Sequence, residues 1–225
     1  MIPKEYDNQS TNIASYDFTD LAEGTGSVLY GGLKTSNNSG TTTLLSAQNS
    51  YSAAIESSGS YTSVGASSYQ IINVLDLDFD LSSFAFPKEV KGTAFVEVFY
   101  LCKDTSSSGP GTDAFITARL RKWDGTTETN IYSVSGSKAA VATGTTFSGS
   151  SVLQIPIPLT QYKQGEILRM TIEGNIARNQ DGNDCSGSFI IAHDPMSRSG
   201  TFIKITNAGT PSTKLNFSCP YQIDV

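Results

Sequence analysis

The sequence predicts an all-β protein, an antiparallel β-sandwich of the jelly-roll type, and three observations favour this fold class. Short runs of alternating apolar and polar residues recur along the chain and end in turns rich in Gly, Ser, Pro or Asp. Ser, Thr and Asn are abundant and compete for backbone hydrogen bonds in helices, where the equally abundant Gly is entropically costly. The 225 residues are enough for one large sandwich. An immunoglobulin-like sandwich is the second candidate, although the Cys and Trp spacing of a true immunoglobulin domain is absent.

Residues 1–68 are predicted to form an extended N-terminal arm that carries a few short strands and serves assembly or anchoring. Glu56 is the only charged residue between Lys34 and Asp76, and Ser and Thr dominate this part of the chain. Disorder is the alternative, because such polar stretches bury little apolar surface. The apolar runs that are long enough for one strand each are residues 27–33, 41–47 and 52–56.

Residues 69–225 are predicted to form the sandwich domain, and its first strand shows the clearest alternation. In the segment NVLDLDFDLSS, Leu and Phe alternate with three aspartates, which places an apolar row on one face and carboxylates on the other. The next strand, in TAFVEVFYLCK, is apolar on both faces. We therefore expect it to be central in the sheet and covered on both sides.

The remaining strands follow from the same patterns. A hairpin is predicted at Asp124-Gly125, after the strand in DAFITARLRKW. Pro156 and Pro158 alternate within SVLQIPIPL and confine that strand to a sheet edge or an extended connection, because proline cannot donate to a β-ladder. Further strands are predicted in TNIYSVS, EILRMTIEG, SGSFIIAHD, TFIKITN and KLNFSCPYQIDV. The residues predicted to point inward are Ala114, Ile116, Ala118, Leu120, Leu168, Met170 and Ile172.

Charge and composition exclude several classes of function. Fifteen Lys and Arg against 21 Asp and Glu give a net charge of -6, so nucleic-acid binding is not expected. No apolar run approaches membrane-spanning length and no signal peptide is recognisable, so we expect synthesis in the cytoplasm and no membrane contact. Cys102, Cys185 and Cys219 lie far apart in the sequence and are predicted to be buried free thiols.

No set of residues predicts a catalytic site or a cofactor. His193 is the only histidine; it is followed by Asp194, with Ser197 and Ser199 close behind. Adjacency in sequence does not produce the geometry of a Ser-His-Asp triad, and no nucleophile-elbow motif is present. We therefore interpret His193 as a strand-end residue beside a turn and expect the chain not to be an enzyme.

Two acidic clusters are candidate calcium sites. Asp76, Asp78 and Asp80 share one strand face, where they are solvated, paired with an arginine row such as Arg119 and Arg121, or bound to calcium. The segment NQDGND contains the second cluster and is interpreted as a hairpin turn, with calcium as the alternative. The candidate ligands in this second cluster are Asp181 and Asp184.

Trp123 is the candidate glycan contact. Sugar-binding β-sandwich modules use flat aromatic platforms, although most such aromatic side chains pack in the core or at its rim. A carbohydrate-binding module that recognises host glycans is therefore the alternative function.

Two segments resemble known families. YDFTDLAEGTGSVLYGG, residues 16–32, followed by a Ser-, Thr- and Gly-rich β-domain, resembles virion structural proteins of tailed bacteriophages. LTQYKQGEILRMTIEGN, residues 159–175, is similar to a pattern in many jelly-roll domains and implies no activity. The first resemblance implies a non-enzymatic, multi-copy virion protein that decorates the capsid, forms part of the neck or attaches fibres. Its partners would be other virion proteins and further copies of itself, in a trimer or ring.

Overall fold

The computed structural model describes residues 14–15, 25–37, 40–48, 50–63, 69–109, 111–178, 184–204 and 212–222. Within these residues the chain forms strands and loops and no helix, which confirms the predicted all-β class. No helix in this described part is long and apolar enough to cross a membrane. The strands are β1 (Ala14–Ser15), β2 (Thr25–Asn37), β3 (Gly40–Ser46), β4 (Glu56–Ser63), β5 (Gln70–Asp80), β6 (Lys88–Asp104), β7 (Thr112–Trp123), β8 (Glu128–Ser135), β9 (Ala139–Val141), β10 (Thr146–Tyr162), β11 (Ile167–Arg178), β12 (Cys185–Ala192) and β13 (Leu215–Gln222).

The strands pair in the order β4-β12-β6-β13-β2-β3-β5-β11-β7-β8, with β1 on β2, β10 on β6 and β9 on β7. Among the described residues, every pairing is antiparallel except one parallel bridge between Leu44 of β3 and Asp80 of β5. This bridge joins the half of the sheet from β4 to β3 with the half from β5 to β8. The apolar faces of the two halves contribute to one core, as in a β-sandwich.

The core lies between these layers. The seven residues predicted to point inward from β7 and β11 are all fully buried, which confirms the predicted faces of both strands. From the opposite layer, the ring of Phe189 on β12 lies against Gly174 of β11, where an added Cβ would come 2.5 Å from Cδ1 of Phe189. Each fully buried side chain of this size stabilises the fold by about 1.5–3 kcal/mol relative to an exposed one.

β6 is central, as predicted, but it is only partly covered on its second face. It pairs with β10 along one side and with β12 and β13 along the other. Phe99 joins a small second cluster with Ile190, Ala192 and Ile203, whereas Phe95 is 43% exposed. The apolar run therefore indicated a central strand correctly but overestimated the cover on its outer face.

Residues from the predicted N-terminal arm contribute strands to the same sheet. β2 pairs with β13 and β3, and β4 pairs with β12. Two of the three predicted short strands are confirmed by β2 and β3, whereas residues 52–55 form a loop before β4. The separate assembly role of residues 1–68 stays a prediction.

Two local predictions have different outcomes. The hairpin at Asp124-Gly125 joins β7 to β8, and the carboxylate of Asp124 accepts hydrogen bonds from the backbone N–H groups of Thr126 and Thr127. The prediction of a strand in TFIKITN is wrong for residues 201–204, which form a bend, and residues 205–207 lie outside the described residues. That bend is held by the carboxylate of Glu56, which accepts hydrogen bonds from the backbone N–H groups of Phe202 and Ile203.

Candidate functional site

The densest group of charged side chains lies on the outer face of β5, β11, β7 and β8, and we call it the charged face. The pairing register builds it, because Arg169 of β11 stands opposite Asp80 on one side and Arg121 on the other. Side chains that face each other across a β-ladder lie about 5 Å apart, within reach of ion pairs. Its members are Asp76, Asp78, Asp80, Arg119, Arg121, Glu128, Arg169 and Glu173.

Arg169 is the centre of this network. Its Nε and Nη2 donate to Oδ1 and Oδ2 of Asp80 at 2.6 and 2.8 Å, the bidentate geometry of a strong Arg–carboxylate pair. Its Nη1 donates to Glu128 Oε1 at 3.0 Å and lies 3.5 Å from Asp78 Oδ2. The hydrogen bonds to Asp80 are the largest cause of a raised pKa at Arg169. The side chain of Arg169 is only 18% exposed, so these contacts are partly shielded from water.

Arg119 and Arg121 complete the arginine row that the sequence suggested as the partner of the aspartates. Arg119 donates to both oxygens of the buried carboxylate of Glu173, at 2.5 and 3.2 Å. Arg121 donates to Glu128 at 2.8 Å and lies 3.9 Å from Asp78. Of the three interpretations of the aspartate row, the geometry therefore favours arginine pairing for Asp78 and Asp80.

Asp76 differs from its neighbours, because it stands directly opposite Glu173, which carries a like charge. Burial is the largest cause of its raised pKa, and the negative charges of Asp78 and Glu173 raise it further. Among the described residues, no group of three or more His, Cys, Asp or Glu side chains is placed to hold a metal ion. Calcium binding stays a prediction, and of the second cluster Asp184 is described whereas Asp181 lies outside the described residues.

Trp123 lies at the end of β7, beside the charged face. The guanidinium of Arg169 stands 5.1 Å from the centre of its ring, a cation–π contact that occupies one face of the indole. The indole is partly buried rather than exposed as an open platform. The glycan contact at Trp123 stays a prediction, with at most one face of the ring left for a sugar.

His193 follows the end of β12, as expected, and it is fully buried. Its Nε2 lies 2.9 Å from the Ser57 Oγ of β4, and its ring packs on Phe79 at 6.0 Å between ring centres. Its Nδ1 is buried and has no hydrogen-bond partner within the described residues. Burial lowers the pKa of His193 to about 4, so the ring is neutral at pH 7.

The neighbours of His193 in the sequence do not join it. Arg198 binds the carboxylate of Asp194 through both oxygens, at 2.9 and 3.0 Å, and the Oγ of Ser197 lies 3.3 Å from that of Ser212. The described residues thus bring a serine to the histidine but place no carboxylate on its Nδ1. Sequence reasoning missed Ser57, which is 136 residues away in the chain, because no local pattern indicates which strand will lie beside the end of β12.

The three cysteines are buried, as predicted, and none of them forms a disulfide. Burial raises the pKa of the Cys102 and Cys219 thiols to about 12. Both are therefore protonated at neutral pH and act as small apolar core residues.

No protein-family model matches the chain, and no curated protein matches its sequence. Among solved structures, the chain is similar to an aminopeptidase from a marine sediment archaeon (10% identity, 86% of this chain and 36% of that chain, TM-score 0.49). It is also similar to a CocE/NonD family hydrolase from Staphylococcus aureus (13% identity, 86% and 36%, TM-score 0.43). A third likeness is to the VP2 subviral particle of infectious bursal disease virus (14% identity, 81% and 40%, TM-score 0.36).

The chain spans less than half of the length of each of these three chains. All three TM-scores lie below 0.5, so these likenesses assign no function to the chain. They do contradict the prediction that the chain is not an enzyme, because matching structures include an α-amino acid ester hydrolase, an aminopeptidase and a CocE/NonD hydrolase. We withdraw that prediction.

Proposed function

We propose that this chain is a structural component of a bacteriophage virion, of the capsid-decoration, neck or fibre-attachment type. In this proposal it assembles through its N-terminal region and its sheet edges, with other virion proteins and further copies of itself as partners. The resemblance of residues 16–32 to virion proteins of tailed bacteriophages supports the proposal.

The observation that carries the proposal is the long, uncharged edge of β10. Within the part of the chain that the structure describes, β10 is an edge strand, and its 17 residues include no charged side chain. Proteins that stay separate protect their sheet edges with charges, short strands, prolines or bulges, because a bare edge templates pairing with other chains. In β10 such protection is limited to Pro156, Pro158 and the register shift between Ile157 and Thr160. Residues 146–154 are left as a bare edge, which suits a protein that functions inside an assembly.

A complementation experiment tests the proposal. Particles produced without this chain are mixed with the purified full chain and separated from unbound protein by density-gradient centrifugation. We expect the chain to co-sediment with these particles, and we expect a variant that lacks residues 1–13 to stay unbound. This variant keeps every described strand, so its unfolding midpoint serves as the control for folding. A full chain that remains at the top of the gradient would contradict the proposal.

A further inference from the structure

We propose that the free edge of β10, at residues 146–154, pairs antiparallel with the same edge of a second copy and forms a two-fold symmetric dimer with a continuous sheet. The dimer is argued from the edge of β10 alone. Only its occurrence on a virus particle rests on the proposed function.

Within the described residues, β10 has one unpaired side. One side of the strand pairs with β6 from Thr146 to Tyr162. On its other side, the described residues provide no strand partner and no backbone hydrogen bond. A row of backbone N–H and C=O groups on such an edge is left for solvent or for an added strand.

β8 does not block this edge. Gly136, just after β8, lies beneath β10, since an added Cβ there would come 2.6 Å from Ser151 Oγ and 3.2 Å from Leu153 Cδ2. Leu153 is a core residue, so the end of β8 belongs to the opposite layer. Between the two strands a groove of about 400 Å³ opens to solvent, lined by uncharged residues that include Ser135, Ser137, Ser150 and Gln154.

Two-fold pairing places a strand beside itself, so any charged side chain near the axis meets its own copy and is repelled. No residue from Ala139 to Tyr162 is charged, and β10 therefore has no such penalty. By contrast β4, another edge strand, begins with Glu56.

Exposed apolar side chains lie beside this edge. Val152 of β10 is 65% exposed on the outer face, and Phe95 on the neighbouring β6 is 43% exposed. Leu29 of β2 is 58% exposed in the same row, because Leu29 and Phe95 both stand opposite Ser218 of β13. A second β10 would give Val152 cross-strand neighbours and remove part of its apolar surface from water.

The location of the two prolines limits the length of the pairing. Pro156 and Pro158 lack the N–H that a ladder requires, and the register shifts between Ile157 and Thr160. The added strand therefore ends near Gln154, which leaves about nine residues of β10 on each copy.

Light scattering on the purified full chain tests the proposal directly. We expect a mass twice the 24.0 kDa of one chain. A first variant carries Ser150→Lys, Val152→Lys and Gln154→Lys, all at exposed outer positions, and a second carries Glu at the same three positions. Each variant alone is expected to be monomeric because like charges face each other, whereas an equimolar mixture of the two restores the dimer mass.

A variant with Ser58→Lys, Ser60→Lys and Thr62→Lys is the matched control, because it places three charges at exposed positions of β4. It is expected to stay dimeric, and circular dichroism confirms that all variants are folded. A monomeric full chain, a trimer or larger ring, a dimer that only the β4 variant dissociates, or a Lys/Glu mixture that stays monomeric would each overturn the β10 pairing. A monomeric full chain would also remove further copies of this chain from the partners in the proposed function, whereas incorporation into particles is tested separately by co-sedimentation.

Discussion

At the scale of the residue, His193 makes the stability of this protein depend on pH. The folded protein holds the ring neutral with a pKa lowered to about 4 by burial, whereas an unfolded chain has a histidine pKa of about 6.5. The unfolded state therefore binds the proton more readily than the folded state. The stability that the neutral His193 ring contributes is fully present above about pH 6.5. This contribution is lost as the pH falls towards 4.

Urea denaturation at pH 7.5 and pH 5.0 measures this effect. We expect the free energy of unfolding to fall by about 2 kcal/mol between these pH values, from the difference between the two pKa values. The variant His193→Gln should lose most of this pH dependence, because His193 is the only histidine in the chain. An equal decline in the variant and in the unaltered protein would assign the effect to other groups.

Arg169 is the residue on the charged face whose loss should cost most. Its substitution by Met leaves the carboxylates of Asp80, Asp78 and Glu128 close together without their shared cation. We expect a loss of about 2 kcal/mol in unfolding free energy, less than for a fully buried pair because water still reaches these groups. Lys103→Met, at an exposed position of β6, is the control and should change stability by less than about 0.5 kcal/mol. A loss of similar size in both variants would show that the network contributes little.

At the scale of the element, β11 lies close against the opposite layer at Gly174. Gly174→Ala would bring a methyl group against the ring of Phe189 on β12. Phe189 is fully buried, so its ring has little room to move away. Overpacking of this kind typically costs about 1–3 kcal/mol. A thermal unfolding midpoint that falls clearly below that of Ser133→Ala, an exposed β8 control, is the expected result. An unchanged midpoint would mean that the two layers separate easily at this point.

The faces of β5, β7 and β11 were predictable from the sequence because the period of a strand is local. The alternation of Leu77, Asp78, Phe79 and Asp80 assigns each side chain to a face whatever strand lies beside it. Pro156 and Pro158 likewise placed β10 at an edge, because a missing N–H is a property of the residue itself.

The partners across strands were not predictable in the same way. Arg169 and Asp80 are 89 residues apart, and Ser57 and His193 are 136 apart. Their contact depends on which strands become neighbours and in which register, and these follow from the packing of the whole chain. Sequence patterns therefore suggested an arginine row for the aspartates but not Arg169 as its centre.

At the scale of the whole molecule, the N-terminal region joins the sheet through four strands, β1 to β4. β2 lies between β13 and β3, so a variant that begins at residue 69 would remove four strands, β1 to β4, and expose the core. A loss of assembly in such a variant would report unfolding. A variant that begins at residue 14 keeps all described strands and separates assembly from stability.

The central claim is that this chain is built into virus particles, and the protein composition of gradient-purified virions tests it most directly. Quantitative mass spectrometry of virions purified from the biological source of this sequence should find the chain at many copies per particle, retained through high-salt washing. Its absence from intact particles, with all of the chain in the soluble fraction of the lysate, would contradict the account.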